Sequence, residues 1–252
     1  MSADSSSPST PLDPSTVVAV IGYRGSAQAA AKSLLARGFE VRVAVRPGGM
    51  SWVRAFEDGF RPVALAEAVP GASVVVVGVP ELEQSQLFAT FLGTALAPGS
   101  LVLVEATAAT VAGAVPMPSH VDVACARLRE ARDGEGEAGA TVAVVAVHRD
   151  ASGQAAERAI AFARTAFPAN RLMTSTFAVE ADLDVASYAA EKGSSQALLA
   201  SWTEQSSHTG YEPDEARQRT LDSLAAAVAS EGPLRLPVTP PSSRPSAGGG
   251  AS

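Results

Sequence analysis

Six short β-branched or apolar runs recur along the chain, at 17–21, 40–45, 73–79, 101–104, 121–126 and 141–147, with helical patterns between most of them. Such alternation is what a parallel sheet demands, because each parallel strand must return through a crossover before the next can pair. Several runs are apolar at every position, as expected of strands covered by helices on both faces. After the first run, Ala27, Ala30, Ala31, Leu34 and Leu35 carry one helical face, and Gly38 stops the element after Arg37. Ala156, Ala159, Ile160, Ala163 and Phe167 repeat the pattern, with Ser152 as N-cap and Pro168 as terminator. Beyond Phe177 the pattern becomes all-helical. One helix is expected from near Asp182 to Gln205, and another from Pro213 to Gly232 with Leu221, Leu224, Ala225 and Val228 on one face.

The chain therefore divides into a disordered leader (1–15), a dinucleotide-binding α/β domain (16–177), a helical segment (178–232) and a disordered Pro/Gly tail (233–252). Two helices of that size cannot bury both apolar faces alone, so the helical segment is expected to be a dimer contact. With 26 acidic against 19 basic residues and a net charge of -7, the chain lacks the local cationic excess that nucleic acid requires. No apolar run approaches the roughly 20 residues of a membrane-spanning helix. The leader has no apolar core of a secretion signal, which points to a cytoplasmic protein. A single cysteine, Cys125, excludes disulfide frameworks and all-cysteine metal sites, and reads as a small buried hydrophobe.

The first run leads into Gly22-Tyr23-Arg24-Gly25-Ser26-Ala27 and then directly into the Ala-rich helix. A Rossmann-like fold places its phosphate loop there. Its first glycine makes the turn, the second lets the main chain approach the diphosphate, and the third allows helix and strand to pack closely. Gly22 and Ala27 fit the first and third positions. Arg24 stands at the second, so its side chain must either clasp the phosphates or fill their place. The second run ends at Arg46-Pro47-Gly48-Gly49-Met50-Ser51, where an acidic residue would select NAD. A guanidinium and a hydroxyl suit a 2′-phosphate instead, so Arg46 and Ser51 point to NADP.

These fragments, together with Ser51-Trp52, Asp58-Gly59-Phe60, Ala97-Pro98-Gly99 and above all Val147-His148-Arg149-Asp150-Ala151-Ser152-Gly153, resemble the N-terminal domain of ketol-acid reductoisomerase in the same order and spacing. The resemblance implies a Rossmann domain binding NADPH, a helical domain completing the active site and the dimer, a 2′-phosphate site at Arg46 and Ser51, and a nicotinamide bordered by the loop around Pro80. His148 and Asp150 are structural in this pattern.

The catalytic positions depart from it. Glu105 stands where the family has a histidine, and Leu128-Arg129-Glu130-Ala131 replaces a Pro-Lys-Gly-Pro motif. Of the four carboxylates that would hold two magnesium ions, Asp184 aligns with the first, while Tyr188, Arg219 and Ser223 stand at the others. One aspartate supplies too little negative charge for two ions, and an arginine would repel them. Alkyl migration is therefore not expected, whereas hydride transfer needs no magnesium if another group protonates or stabilises the alkoxide. Two function classes follow. The first is an NADPH-dependent reductase of a small carbonyl or imine compound in biosynthesis, with Glu105, Asp184 and Tyr188 as candidate proton donors and Gly22, Tyr23, Arg24, Gly25, Ser26, Arg46, Ser51 and Pro80 at the cofactor. The second is a repurposed scaffold, either a non-redox isomerase or cyclase using the cofactor cleft or a binding pseudoenzyme. The charged stretch 128–140 is expected to be a surface loop.

Overall fold

The computed structural model describes residues 12–192 apart from 112, 132–134, 136, 138 and 168–170, with the main chain alone at 81–82 and 185–192. Seven strands form one sheet in the order β2-β1-β3-β4-β5-β6-β7. In chain order the elements are β1 (Val17–Ile21), α1 (Gly25–Ala36), β2 (Glu40–Ala44), α2 (Met50–Glu57), α3 (Leu65–Ala68), β3 (Val74–Val77), α4 (Glu81–Leu87), a π turn (Phe88–Leu92) and α5 (Gly93–Ala95). There follow β4 (Leu101–Val104), α6 (Ala108–Val111), β5 (Asp122–Glu130), β6 (Thr141–Arg149), α7 (Ala155–Ala166), β7 (Leu172–Thr174) and α8 (Phe177–Lys192). All pairings are parallel except β5 with β6.

Strand periodicity divides the core in two. Val18, Val20, Val74, Val76, Leu101 and Leu103 face α1 and α7, where they meet Ala27, Ala30, Leu34, Phe162 and Ala163. Their neighbours Ala19, Ile21, Val75, Val77, Val102 and Val104 face the other way, against Phe88, Leu92, Ala109 and Phe177. Both faces are dry, which explains why these strands carry no polar alternation.

Two expectations are corrected by the structure. Residues 128–130 are strand rather than loop, because β5 runs on to pair with β6 as an antiparallel hairpin. The helix expected from near Asp182 also begins earlier, at Phe177. The leader up to residue 11, Pro168, the helix from Pro213, Arg219, Ser223 and the tail lie outside the described residues.

The Asp150-Ala151-Ser152-Gly153 segment is a fastening. Asp122, wholly buried at the start of β5, accepts hydrogen bonds from the N–H groups of Ala151 and Ser152 (both 2.9 Å) and from the Ser152 hydroxyl (2.7 Å). The Arg158 guanidinium reaches the same carboxylate at 2.9 Å. Asp150, not Ser152, accepts from the first turn of α7, through Ala155 N–H at 3.0 Å. His148 packs on Phe177, ring centroids 4.8 Å apart, and burial, followed by the charge of Arg149, lowers its pKa. Replacing Asp122 with Ala takes the acceptor from the Ala151 and Ser152 N–H groups and leaves Arg158 with only the carbonyls of Gly99 and Ser73. It is expected to lower the unfolding free energy by about 3 kcal/mol in urea titrations, while Ser152→Ala costs about 1 kcal/mol.

Candidate functional site

The chain passes from β1 out to β2 and returns to β3 on the other side of β1, so the strand order reverses between β1 and β3. In open α/β sheets ligands bind at the carboxyl ends of the strands flanking such a reversal. Here Gly22 and Gly78 make the approach possible. Gly22 has φ +84°, and a Cβ on it would lie 2.7 Å from the main chain of Gly78. A Cβ on Gly78 would in turn lie 2.5 Å from the Cβ of Ala27. The small residue at 27 thus lets α1 press on β3, the part anticipated for the third position of the loop.

Beside this crossing lies a cleft of about 690 Å³ walled by the ends of β1, β2 and β3, the start of α2 and one side of α4. Gly22, Tyr23, Arg24, Arg46, Ser51 and Pro80 line it, while Gly25 and Ser26 do not. The Tyr23 side chain is buried and otherwise engaged: its hydroxyl donates to Asp58 at 2.8 Å and its ring meets Phe60 edge-on. Gln28 and Lys32 also donate to Asp58. Ser26 is spoken for as well, its hydroxyl accepting from Leu128 N–H at 2.9 Å, so the loop is tied to β5 rather than offering that hydroxyl to a ligand. Arg46 projects into solvent with 84% of its side chain exposed and bonds Glu83 of α4 at 2.7 Å across the cleft mouth. Glu83 had no place in the sequence reading; nothing local marks a helix glutamate as the partner of a distant turn.

Arg24 is exposed and does not fill the phosphate position; the N-terminus of α1 is taken instead by Glu105, from the end of β4. The Glu105 carboxylate accepts a hydrogen bond from Ala27 N–H, and a Cβ at Gly25 would lie 3.0 Å from its Oε2. Burial pushes this carboxyl up to about 7, against the opposing pull of the Ala27 N–H, Arg24 and Arg127.

Behind Glu105 stands a cluster centred on Arg127 of β5. Its guanidinium bonds Asp184 and reaches Glu180 Oε2 at 2.8 Å, both on α8, and donates to the Glu105 carbonyl at 2.9 Å. The other Asp184 oxygen accepts from the N–H and hydroxyl of Thr107, each at 2.6 Å. With both oxygens occupied, Asp184 braces the β4–α6 loop against α8. Arg129, in the replaced Pro-Lys-Gly-Pro stretch, bonds Glu135 at 2.6 and 3.0 Å and Glu180 at 3.3 Å. Tyr188 lies on α8, its side chain outside the described residues. Arg127 was missed by the sequence reading; the available signal was a charged residue directly after an apolar strand run, masked because that run was ended at Ala126.

With this geometry in view, the similarity to known proteins is specific. The family model described as the NADPH-binding domain of acetohydroxy acid isomeroreductase matches residues 14–171. The chain belongs to the ketol-acid reductoisomerase family. It is 31% identical over 228 residues to the ketol-acid reductoisomerase (NADP(+)) of Methanopyrus kandleri, covering 86% of this chain and 68% of that protein. A ketol-acid reductoisomerase (NADP(+)) of Cenarchaeum symbiosum is also 31% identical, over 225 residues and with the same shares. Among solved structures, an NADH-preferring ketol-acid reductoisomerase from an uncultured archaeon shares the fold at a TM-score of 0.60 and 23% identity, over 86% of this chain and 70% of that one. A semialdehyde dehydrogenase NAD-binding protein from Cupriavidus necator, in complex with calcium and NAD, shares it at 0.57 and 20%, over 86% and 85%. NADP is the cofactor of the matched domain.

The residues present fit that dinucleotide: a turn closed to any side chain at Gly22, a cleft at the strand reversal, and Arg46 with Ser51 beside it. Asp184, the carboxylate that the resemblance aligns with a metal ligand, is already bonded by a guanidinium and by Thr107.

Glu180 is wholly buried and depends on its arginine neighbours. Burial works to raise its pKa, but the bonds from Arg127, Ser175 and Arg129 outweigh it and hold the carboxyl below its ordinary value. A depressed folded-state pKa contributes stability that is present above the ordinary glutamate value and lost as pH falls through the lower one. Arg127→Met is therefore expected to cost about 3–5 kcal/mol at neutral pH and to shrink the acid-side loss, as read by thermal melts between pH 3 and 7.

Proposed function

We propose that this chain is a cytoplasmic NADPH-dependent reductase of a small carbonyl or imine compound in biosynthesis, in which the magnesium-dependent isomerisation of its family has been lost. The observation that carries the reading is the guanidinium of Arg127 on Asp184, the carboxylate that aligns with the family's first metal ligand. A fixed cation there removes both the negative charge and the open coordination that a divalent ion needs. The substitutions at Tyr188, Arg219 and Ser223 point the same way.

NADPH, when bound, supplies a hydride. The chain's own residues would do the rest: Gly22 brings main chain close to the diphosphate, and Arg46, once released from Glu83, would pair with the 2′-phosphate beside Ser51. Pro80 would border the nicotinamide. Of the three candidate proton donors, Glu105 fits best, since a carboxyl held near 7 is partly protonated at neutral pH and can deliver that proton to a developing alkoxide. Asp184 serves instead to hold Thr107 and α8 in place. A homodimer formed through residues 178–232 would bury the helical faces beyond the α/β body, and light scattering on the full chain tests this by returning the mass of two chains.

A second reading, the repurposed scaffold, draws on one feature: Glu105 stands at the helix end where a diphosphate is expected. Fluorescence titration separates the two. The reductase reading expects NADPH to bind with micromolar affinity and NADH at least tenfold more weakly, and Arg46→Ala to remove most of that preference, a loss of about 1–2 kcal/mol for one charge-assisted contact. No binding of either nucleotide would leave the scaffold reading in its place. Reductase turnover, where a substrate is found, is expected to survive chelation of divalent ions.

A further inference from the structure

The Glu105 carboxylate holds a position that the reductase reading assigns to something else. Helix α1 spans 12 residues and begins at Gly25, with no acidic residue of its own in the first turn and no side-chain cap from Arg24. Its free N–H groups and the positive end of its dipole would take an anion, and in this fold the anion is the dinucleotide diphosphate. Here the Ala27 N–H is satisfied by Glu105, delivered from the end of β4 on the far side of β3. The contact is close: a Cβ on Gly25, whose φ is +52°, would lie 3.0 Å from the Glu105 Oε2.

We propose, building on the reductase reading, that Glu105 is a built-in competitor for the cofactor diphosphate: its carboxylate caps α1, and it gives up that place and takes on one proton when the dinucleotide binds.

The surroundings dictate the proton. The charged groups acting on Glu105 are Arg24 from the phosphate loop and Arg127 from β5, while Glu105, Arg127, Asp184 and Glu180 all act on the buried Cys125 of β5. Arg127 is the one buried cation among them, and it is committed to Asp184 and Glu180, so it cannot also neutralise a displaced Glu105 carboxylate. Arg24 is exposed and free to turn toward a phosphate. A diphosphate at α1 therefore adds negative charge beside a half-buried carboxyl whose partner N–H it has taken, and both changes favour the neutral acid. Cofactor binding would in this way leave Glu105 as the neutral acid.

The linkage has a definite sign. Glu105 is anionic above about pH 7 and must then be protonated for the dinucleotide to bind, so affinity falls up to tenfold per pH unit above that point and is insensitive to Glu105 below it. The test is calorimetric titration of NADP+ into the full chain and into Glu105→Gln, between pH 6 and 9. Gln keeps an oxygen for the Ala27 N–H but carries no charge, and Glu105→Ala serves as a second variant should Gln pack poorly. The 2′-phosphate titrates identically in every protein, so the ratio of affinities isolates Glu105. The expected result is equal binding near pH 6, at least tenfold tighter binding by Glu105→Gln at pH 8.5, and uptake of about one more proton per NADP+ by the unsubstituted chain at that pH. A ratio that stayed constant across the range, or equal proton uptake, would overturn the competitor role while leaving the reductase reading standing. Failure of all three proteins to bind NADP+ at any pH would overturn both.

Discussion

A buried guanidinium organises the half of this molecule behind Glu105. Only about an eighth of the Arg127 side chain is exposed, and Glu180 is wholly buried. Neither charge could be buried alone without a penalty of several kcal/mol, so the two stand or fall together. Through Asp184 the same arginine fixes the Thr107 turn after β4, and through Glu180 it fixes the start of α8 against the sheet. The position of α8, and of whatever α8 carries, thus follows from an ion pair made at the end of one strand.

That cluster and the cofactor cleft occupy opposite sides of Glu105. On the cleft side, everything depends on close approach of main chain, secured by Gly22, Gly78 and Ala27, which bring α1 to the crossing of β1 and β3. On the cluster side, the carboxylates of Asp184 and Glu180 are both bonded by Arg127. Glu105 belongs to both, with its carbonyl on Arg127 and its carboxylate on α1.

The fold was legible in the sequence because hydrophobic periodicity and loop chemistry agree at every level. Runs such as 74–77 and 101–104 have no polar face, the helix after Gly22 has one apolar side, and Gly38 ends it, so the parallel sheet followed directly. The hairpin of β5 and β6 was not legible. Leu128 to Glu130 carry alternating charge that reads as solvated loop, while their pairing with residues 141–143 depends on a partner strand no local window contains. The site was legible by half. Gly22, Arg46 and Ser51 follow from position after a strand, a local rule. The bonds of Glu105 to α1, Arg127 to α8, Glu83 to Arg46 and Tyr23 to Asp58 join residues dozens of positions apart, and no spacing rule encodes such pairs.

On the proposed reading, this reductoisomerase family member keeps the cofactor cleft while the Arg127 guanidinium takes the place of a metal ion at Asp184. The most direct test of that account is a crystal structure of the full chain grown with NADP+ and Mn²⁺, the ion serving as an anomalous stand-in for magnesium. The account expects the dinucleotide along the cleft with its diphosphate at the N-terminus of α1, Arg127 still between Asp184 and Glu180, and no anomalous peak at Asp184. A manganese ion bound to Asp184 with Arg127 turned away would contradict it.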